Sequence, residues 1–431
     1  MLDIQYIRDN PDLVQEKSKQ KNVDVNISEL ISIDDKRREL LTIIEDLREQ
    51  RNKLTANITS KPSDSDIEKG SKLKSEISEL ETKLNPIEES YSRLIKKVPN
   101  MPTDDVPVGA TENENQVTKT WGELKEFNFK PKTHWEIGEA KGLIDRERAA
   151  KISGSRFAYI KGGLVELQFA LINFTISLLS DEKILGKIIQ DNNLKLSSKP
   201  FVPVLPPVMM RTDAYEATGR LKAEEVTYKL AGDDLWLTGS SEHSMVAMYM
   251  NEILDESMLP IRYLGYSTNF RREAGTYGKD TNGIIRMHHF DKLEMEVFST
   301  PETSFDEHLF LIAIQEHIAQ ELKLPYRIIM KCTADIGDPN ARGVDVEMWM
   351  PGQDTYKETH SADYMTDYQS RDLKTRLRRE NGTIELVHNN DATALAMART
   401  LAAIIENYQT QDSQIVIPER LRPFLNGKEV I

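Results

Sequence analysis

The chain has 431 residues, 39% hydrophobic and 29% charged, with a formal net charge of -14. That length allows two or three domains with a sizeable core, and the acidic balance argues against indiscriminate attraction to nucleic-acid phosphates while leaving room for a local basic patch. One cysteine, Cys332, rules out an internal disulfide and a thiolate zinc site, and it reads most simply as a small buried apolar residue.

The opening, MLDIQYIRDNPDLVQEKSKQ, lacks a signal-peptide core, and no apolar run approaches the roughly 20 residues needed to span a bilayer. A cytoplasmic protein without a membrane partner is therefore expected. From residue 33 to residue 58 the series Ile33, Arg37, Leu40, Ile44, Leu47, Arg51, Leu54, Ile58 alternates steps of four and three. A second series runs Leu73, Ile77, Leu80, Leu84, Ile87, Tyr91, Leu94, Val98. Between them TSKPSDSD, with Pro62, ends one helix and starts another. The spacing predicts two helices of about 25 residues folded back as an antiparallel coiled-coil hairpin. Residues 28–98 hold 14 Lys and Arg against 15 Asp and Glu, so the acidity lies elsewhere in the chain. Such an arm suits dimerisation or spacing. The lysines near its tip, Lys53, Lys61, Lys69, Lys72 and Lys74, equally suit contact with phosphates.

The periodicity stops at KKVPNMPTDDVPVGATENENQV, whose prolines and polar residues read as a linker. The expected division is 1–100 for the helical arm, 101–120 for the linker and 121–431 for the body. In the body, SGSRFAYIKGGLVELQFALINF reads as a short strand and then a helix, and KPFVPVLPPVMM as an apolar strand broken by prolines. Strands and helices alternate without a regular βαβ rhythm, which predicts an α+β fold: a mostly antiparallel sheet flanked by helices.

The chemistry concentrates in residues 267–298, STNFRREAGTYGKDTNGIIRMHHFDKLEMEVF, read as a hairpin around a loop holding Gly275, Gly278 and Gly283. Strand alternation would put Arg286, His288, Phe290, Lys292 and Glu294 on one face, and Ile285, Met287, Leu293 and Met295 mostly on the other. Arg271 and Glu273 share a face on the first strand. Guanidinium groups suit phosphate oxygens, an aromatic ring suits a base and a carboxylate suits an amine. The partner so described is a nucleotide together with an amino acid. Adjacent His288 and His289 point apart on a strand and show no HExxH spacing, which argues against a metal centre.

NFRREAG…GIIRMHHFDKLEME resembles motif 2 of class II aminoacyl-tRNA synthetases in the form found in seryl-tRNA synthetases. VPVLPPVMMRTDAYEATGRL is similar to that family's motif 1, with Pro206 as its proline, and ALAMARTLAAIIENYQ to motif 3, with Arg399 as its arginine. The N-terminal opening and the helical hairpin sit where the family's tRNA-binding arm sits, so the resemblance spans essentially the whole chain. It implies an ATP-dependent serine–tRNA ligase acting on tRNA(Ser), and on tRNA(Sec) if present, as a homodimer joined through motif 1. Arg271 would contact the α-phosphate, Glu273 the adenine amine and Phe290 the ring, with Arg286 and Arg399 holding outer phosphates or the other ring face. Arg272, Glu358, Thr359, His360 and Ser361 would complete the ATP site, with Glu358 and Ser361 ligating Mg2+; no zinc is expected. Ser240, Ser241 and Glu242, with Arg271, Glu294 and Thr393, would bind serine, Glu294 taking the ammonium group and Thr393 the hydroxyl.

The chain departs from the family pattern in four places. Ser240 stands where a threonine is usual, Arg272 where a serine is, and HSADY follows Glu358 in place of a Ser-Ser-Cys-Ser-Asn run. Asp391 replaces an asparagine, and a carboxylate beside a substrate carboxylate must be turned away or neutralised. A non-catalytic tRNA-binding relative is the alternative these departures raise. A ligase charging a carrier protein would be expected to lack the arm and to carry zinc-binding cysteines.

Overall fold

The computed structural model of the chain describes residues 1–57, 62–221, 226–274 and 282–431. By its internal contacts it divides into two units, Met1–Met101 and Pro102–Ile431.

In the first unit, helices Ile4–Asp9 and Pro11–Gln20 precede the long pair α1 (Ile27–Ala56) and α2 (Asp64–Ile95), of 30 and 32 residues. Both exceed the expected length because the caps, not the apolar series, set their starts. Asn26 accepts the Glu29 amide at 3.0 Å, and Ser63 forms a capping box with Asp66. The heptad positions of α1 from Ile33 to Leu54 are buried or half-buried, while nearly all their neighbours face solvent. Ile44, Ile77 and Leu84 form the centre of the seam, packed by Leu40, Leu41, Leu47 and Leu80. Arg37 occupies an apolar position because its guanidinium lies 4.7 Å from the centre of the Tyr91 ring. Ile58 and Lys61 lie outside the described residues; Lys53, Lys69, Lys72 and Lys74 are exposed.

The second unit is built on an eight-stranded sheet. In chain order its strands are β1 (Gln116–Trp121), β2 (Val202–Val204), β3 (Ile261–Phe270), β4 (His289–Ser299), β5 (Tyr326–Met330), β6 (Arg342–Met350), β7 (Thr355–Thr366) and β8 (His388–Ala396). Their spatial order is β1-β5-β6-β7-β8-β4-β3-β2, antiparallel throughout except where β2 meets β3. Helices α3 (Gly163–Leu179), α4 (Ser304–Glu321) and α5 (Met397–Asn407) cover the sheet and bury one large apolar core. The linker expected over 101–120 ends in structure, because Gln116–Trp121 is the edge strand β1, paired with β5 from Gln116 opposite Met330 to Trp121 opposite Tyr326. Its side chains are almost all exposed, so it carries no apolar alternation to read. Among the described residues no single helix is long and apolar enough to cross a membrane.

Candidate active site

The register of the central strands builds the site. Asp345 on β6 faces Ser361 on β7, Thr393 on β8 faces Glu294 on β4, and Glu294 faces Gly265 on β3. The Ser361 and Thr393 hydroxyls, 3.4 Å apart, join the two halves of this row. One step along, Asp363 faces Asp391, and Asp391 faces Glu296. Residues two apart on a strand share a face, so the sheet presents two successive rows of hydroxyls and carboxylates, with Phe290 and Lys292 continuing the same face of β4.

An open cavity with about 610 Å³ of empty space, part of it open solvent, lies here, lined by Arg271, Glu273, Arg286, Phe290, Lys292, Glu358, Thr359, Ser361, Thr393 and Arg399 among others. The Arg271 guanidinium sits 5.2 Å from the Phe290 ring centre, and its Nε donates to the Gly239 carbonyl at 3.1 Å. Arg286 pairs with Glu273 at 2.6 Å, and Arg399 with Glu358 at 2.8 Å. Burial pushes the Glu358 carboxyl up, but Arg399 and Lys331 outweigh it and hold the group below its ordinary value. Its side chain is still 46% exposed, so water in the cavity screens the pair and the direction alone is meaningful.

Sequence alternation does not carry through the hairpin ends. β3 stops at Phe270 and β4 starts at His289, so Arg271, Glu273, Arg286 and His288 lie outside the strands. Glu273 has φ +53°, and Ile285 and Met287, expected on the far face, also line the cavity. An irregular turn frees side chains from the two-residue period. Gly275 and Gly278 lie outside the described residues. Gly283 is held at φ +75°, against the buried His134 ring. His134 Nε2 accepts the Ile284 amide at 3.2 Å, and its Nδ1 meets Glu406 on α5 at 2.7 Å. The end of the loop is thereby pinned to the helix that carries Arg399.

Two expected ATP-site residues do not line the cavity. The Arg272 guanidinium lies 5.2 Å from the Tyr228 ring centre. His360 is buried, its Nδ1 2.9 Å from the Thr359 hydroxyl, and burial lowers its pKa to about 4.

Of the residues expected to bind the amino acid, Arg271 and Thr393 line the cavity, Glu294 faces Thr393 in the sheet, and Ser240, Ser241 and Glu242 lie at the start of a short helix and do not line it. Ser240 donates to Glu242 at 3.1 Å, and Ser241 donates to the Gly265 carbonyl at 3.4 Å, so neither serine merely caps the short helix that follows. Glu242, Glu294 and Asp391 are buried, with one oxygen of each within 4.8 Å of the others. Two like charges about 4 Å apart repel by about 4 kcal/mol at an effective dielectric constant of about 20, so such a trio requires cations. Lys292 supplies one, 2.5 Å from Glu294 and 3.9 Å from Glu242. Arg220 supplies the other, 3.3 Å from Glu242, 3.2 Å from Asp391 and 3.5 Å from Asp363. Burial pushes Glu294 up to about 7 against the pull of Lys292, whereas Arg220, His243 and Lys292 overcome burial and hold Glu242 well below its usual value.

Arg220, Lys292 and Asp345 therefore belong to the site although sequence reading gave them no role. Lys292 was legible as a member of the strand face. Arg220 had a signal too: Asp391 demanded a neutralising cation, and the motif 1 segment ends in Thr218-Gly219-Arg220-Leu221.

An antiparallel sheet flanked by helices, with arginines from a hairpin and from a following helix converging on one cavity, is the core of a class II aminoacyl-tRNA synthetase. The family described as "tRNA synthetase class II core domain (G, H, P, S and T)" matches residues 226–408, and "Seryl-tRNA synthetase N-terminal domain" matches residues 1–102. A serine–tRNA ligase of Symbiobacterium thermophilum is 38% identical, with 100% of each chain covered. The seryl-tRNA synthetase of Pyrococcus horikoshii complexed with ATP superposes with a TM-score of 0.85 at 35% identity, covering 100% of this chain and 99% of that one. The Naegleria fowleri cytoplasmic serine–tRNA ligase in complex with AMP gives 0.82 at 26% identity, with 100% and 98% covered. The chain belongs to the seryl-tRNA synthetase family.

Proposed function

We propose that the two rows and the cavity divide the work of a serine–tRNA ligase. ATP lies in the cavity, with Phe290 under the adenine, Glu273 at its amine, and Arg271, Arg286 and Arg399 along the phosphates. Serine lies over Thr393 and Glu294, its ammonium group against the Glu294 carboxylate and its hydroxyl against Thr393. The serine carboxylate attacks the α-phosphorus in line and pyrophosphate leaves. A 3'-terminal ribose hydroxyl of tRNA then attacks the seryl carbonyl and AMP leaves. No protein nucleophile enters; catalysis is positioning and charge stabilisation by preorganised donors. The single observation that carries this reading is the convergence of Arg271, Phe290, Arg286 and Arg399 on one cavity that is also lined by Thr393, the cross-strand neighbour of buried Glu294.

Glu358 and Ser361 would hold Mg2+, and the hard oxygen donors fit it. Asp345, opposite Ser361, has a buried oxygen with no hydrogen-bond partner, as a third ligand to such an ion or its waters would. When bound, the ion neutralises phosphate charge. Arg272 and His360 act behind this layer rather than on the nucleotide.

The 1–100 arm docks tRNA(Ser), and tRNA(Sec) where present, through exposed lysines such as Lys69, Lys72 and Lys74, while residues 121–431 carry the chemistry. Exposed Val202, Leu205 and Met209 along motif 1 favour a homodimer formed there. A reducing cytoplasmic setting agrees with one free, buried cysteine. The non-catalytic alternative draws no support from the site, which keeps its arginines and carboxylates. Transfer of labelled serine to tRNA(Ser), dependent on ATP and lost in Arg271→Ala, tests the assignment; label transfer without ATP, or none from folded protein, refutes it.

A further inference from the structure

We propose that Arg220 is a positioning residue of the amino-acid pocket, a buried guanidinium fork that locks Glu242 and Asp391 in place so that Glu294 alone is left to receive the substrate ammonium group. The inference rests on the serine pocket proposed above. Arg220 comes from the loop after the short helix Thr212–Ala217, and its side chain is 16% exposed. It reaches Glu242 through Nε and both Asp391 and Asp363 through Nη2, residues of three separate segments. Asp363 and Asp391 face each other across β7 and β8, one row below Ser361 and Thr393, so Arg220 spans the floor of the pocket.

The groups facing that floor are Glu242, Glu294, Glu296, Asp363 and Asp391 on the acidic side, with Arg220, Lys292 and His243 opposite. The Glu242 oxygen that Arg220 holds is met by a second group as well: His243 Nε2 lies 3.4 Å from the same Oε1, and the Tyr215 hydroxyl meets His243 Nδ1 at 2.8 Å. Burial, Glu242 and Asp363 push the Asp391 carboxyl up while Arg220 pulls it down, so without Arg220 the floor would hold Asp391, Asp363 and Glu242 with no guanidinium between them. Asp391 would then repel the substrate carboxylate, and Glu242 would be free to compete for Lys292 or for the ammonium group. A fork that can hold separate carboxylates is what arginine offers and lysine does not.

The test is ATP–pyrophosphate exchange with Michaelis constants for serine and ATP measured separately, on folded full-length protein verified by circular dichroism. Arg220→Gln should raise the serine KM by about 100-fold, the scale for truncating one partner of a buried charge pair, while the ATP KM changes by less than about threefold. Adding Asp391→Asn should recover at least about tenfold, because it removes the charge that Arg220 neutralises. If Arg220→Gln does not fold, Arg220→Lys takes its place, with a serine KM raised about tenfold at an unchanged ATP KM. A serine KM unmoved in the folded variant, equal losses for serine and ATP, or no recovery in the double variant overturns the proposal. Absence of serine-dependent exchange in the unmutated protein would instead overturn the pocket itself.

Discussion

Gly283→Ala probes how the nucleotide loop is seated. A Cβ at residue 283 would lie 2.0 Å from His134 Nε2 and 2.8 Å from its Cε1, with no room to shift in a buried ring held by Glu406. Alanine at φ +75° also meets left-handed strain of about 1–2 kcal/mol. Displacing His134 orphans the Ile284 amide, which adds about 1–3 kcal/mol for an unsatisfied buried donor. The sum, about 2–5 kcal/mol, should lower the melting temperature by about 3–7 °C. Arg286 lies three residues on, so the ATP KM should rise by about tenfold while the serine KM stays near its parent value. His134→Ala should lose the same hydrogen bond by itself, and the double variant should cost less than the sum because the clash is gone. A Gly283→Ala protein with parental melting temperature and ATP KM would refute the seating.

Arg271→Ala should cut the exchange rate by about 10²–10³-fold, the usual cost of removing one transition-state donor. Deleting residues 33–98 should spare exchange and abolish tRNA charging; unchanged charging would end the assignment of the arm. Arg262 and Glu307 form a fully buried pair at 2.7 Å, so Arg262→Met should destabilise by about 3–5 kcal/mol in denaturant unfolding, and adding Glu307→Leu should restore most of it. Burial places Glu294 at about 7 against an ordinary 4.5, so the folded state binds more protons than the unfolded chain between those values. Stability should therefore fall as pH rises through that window and level off above it. Serine kcat/KM should rise over the same range as the carboxylate ionises, and Glu294→Gln should flatten that rise.

The arm was legible because a coiled-coil seam repeats its signal: Ile44, Ile77 and Leu84 are buried where the heptads place them. The core strand β4 was legible for the same reason, with Phe290, Lys292 and Glu294 on one face. Legibility failed where geometry departs from a period. Arg286, expected at the nucleotide site, does line the cavity but from an irregular turn and not from the strand, and β1 hides because its exposed residues need no apolar alternation. Arg272 and His360 fell within recognisable motifs yet turn to Tyr228 and Thr359, since adjacency in sequence does not fix side-chain direction. Arg220 serves carboxylates 22, 143 and 171 residues away, and no local pattern reports a partner at that distance.

The central claim is activation of serine by this cavity, and the most direct measurement is ATP–pyrophosphate exchange with serine, threonine, alanine and no amino acid. The account predicts exchange that requires serine and is far weaker with alanine, which lacks the hydroxyl that Thr393 is proposed to bond. Equal exchange with alanine, or none with serine from folded protein that still binds tRNA, would contradict it.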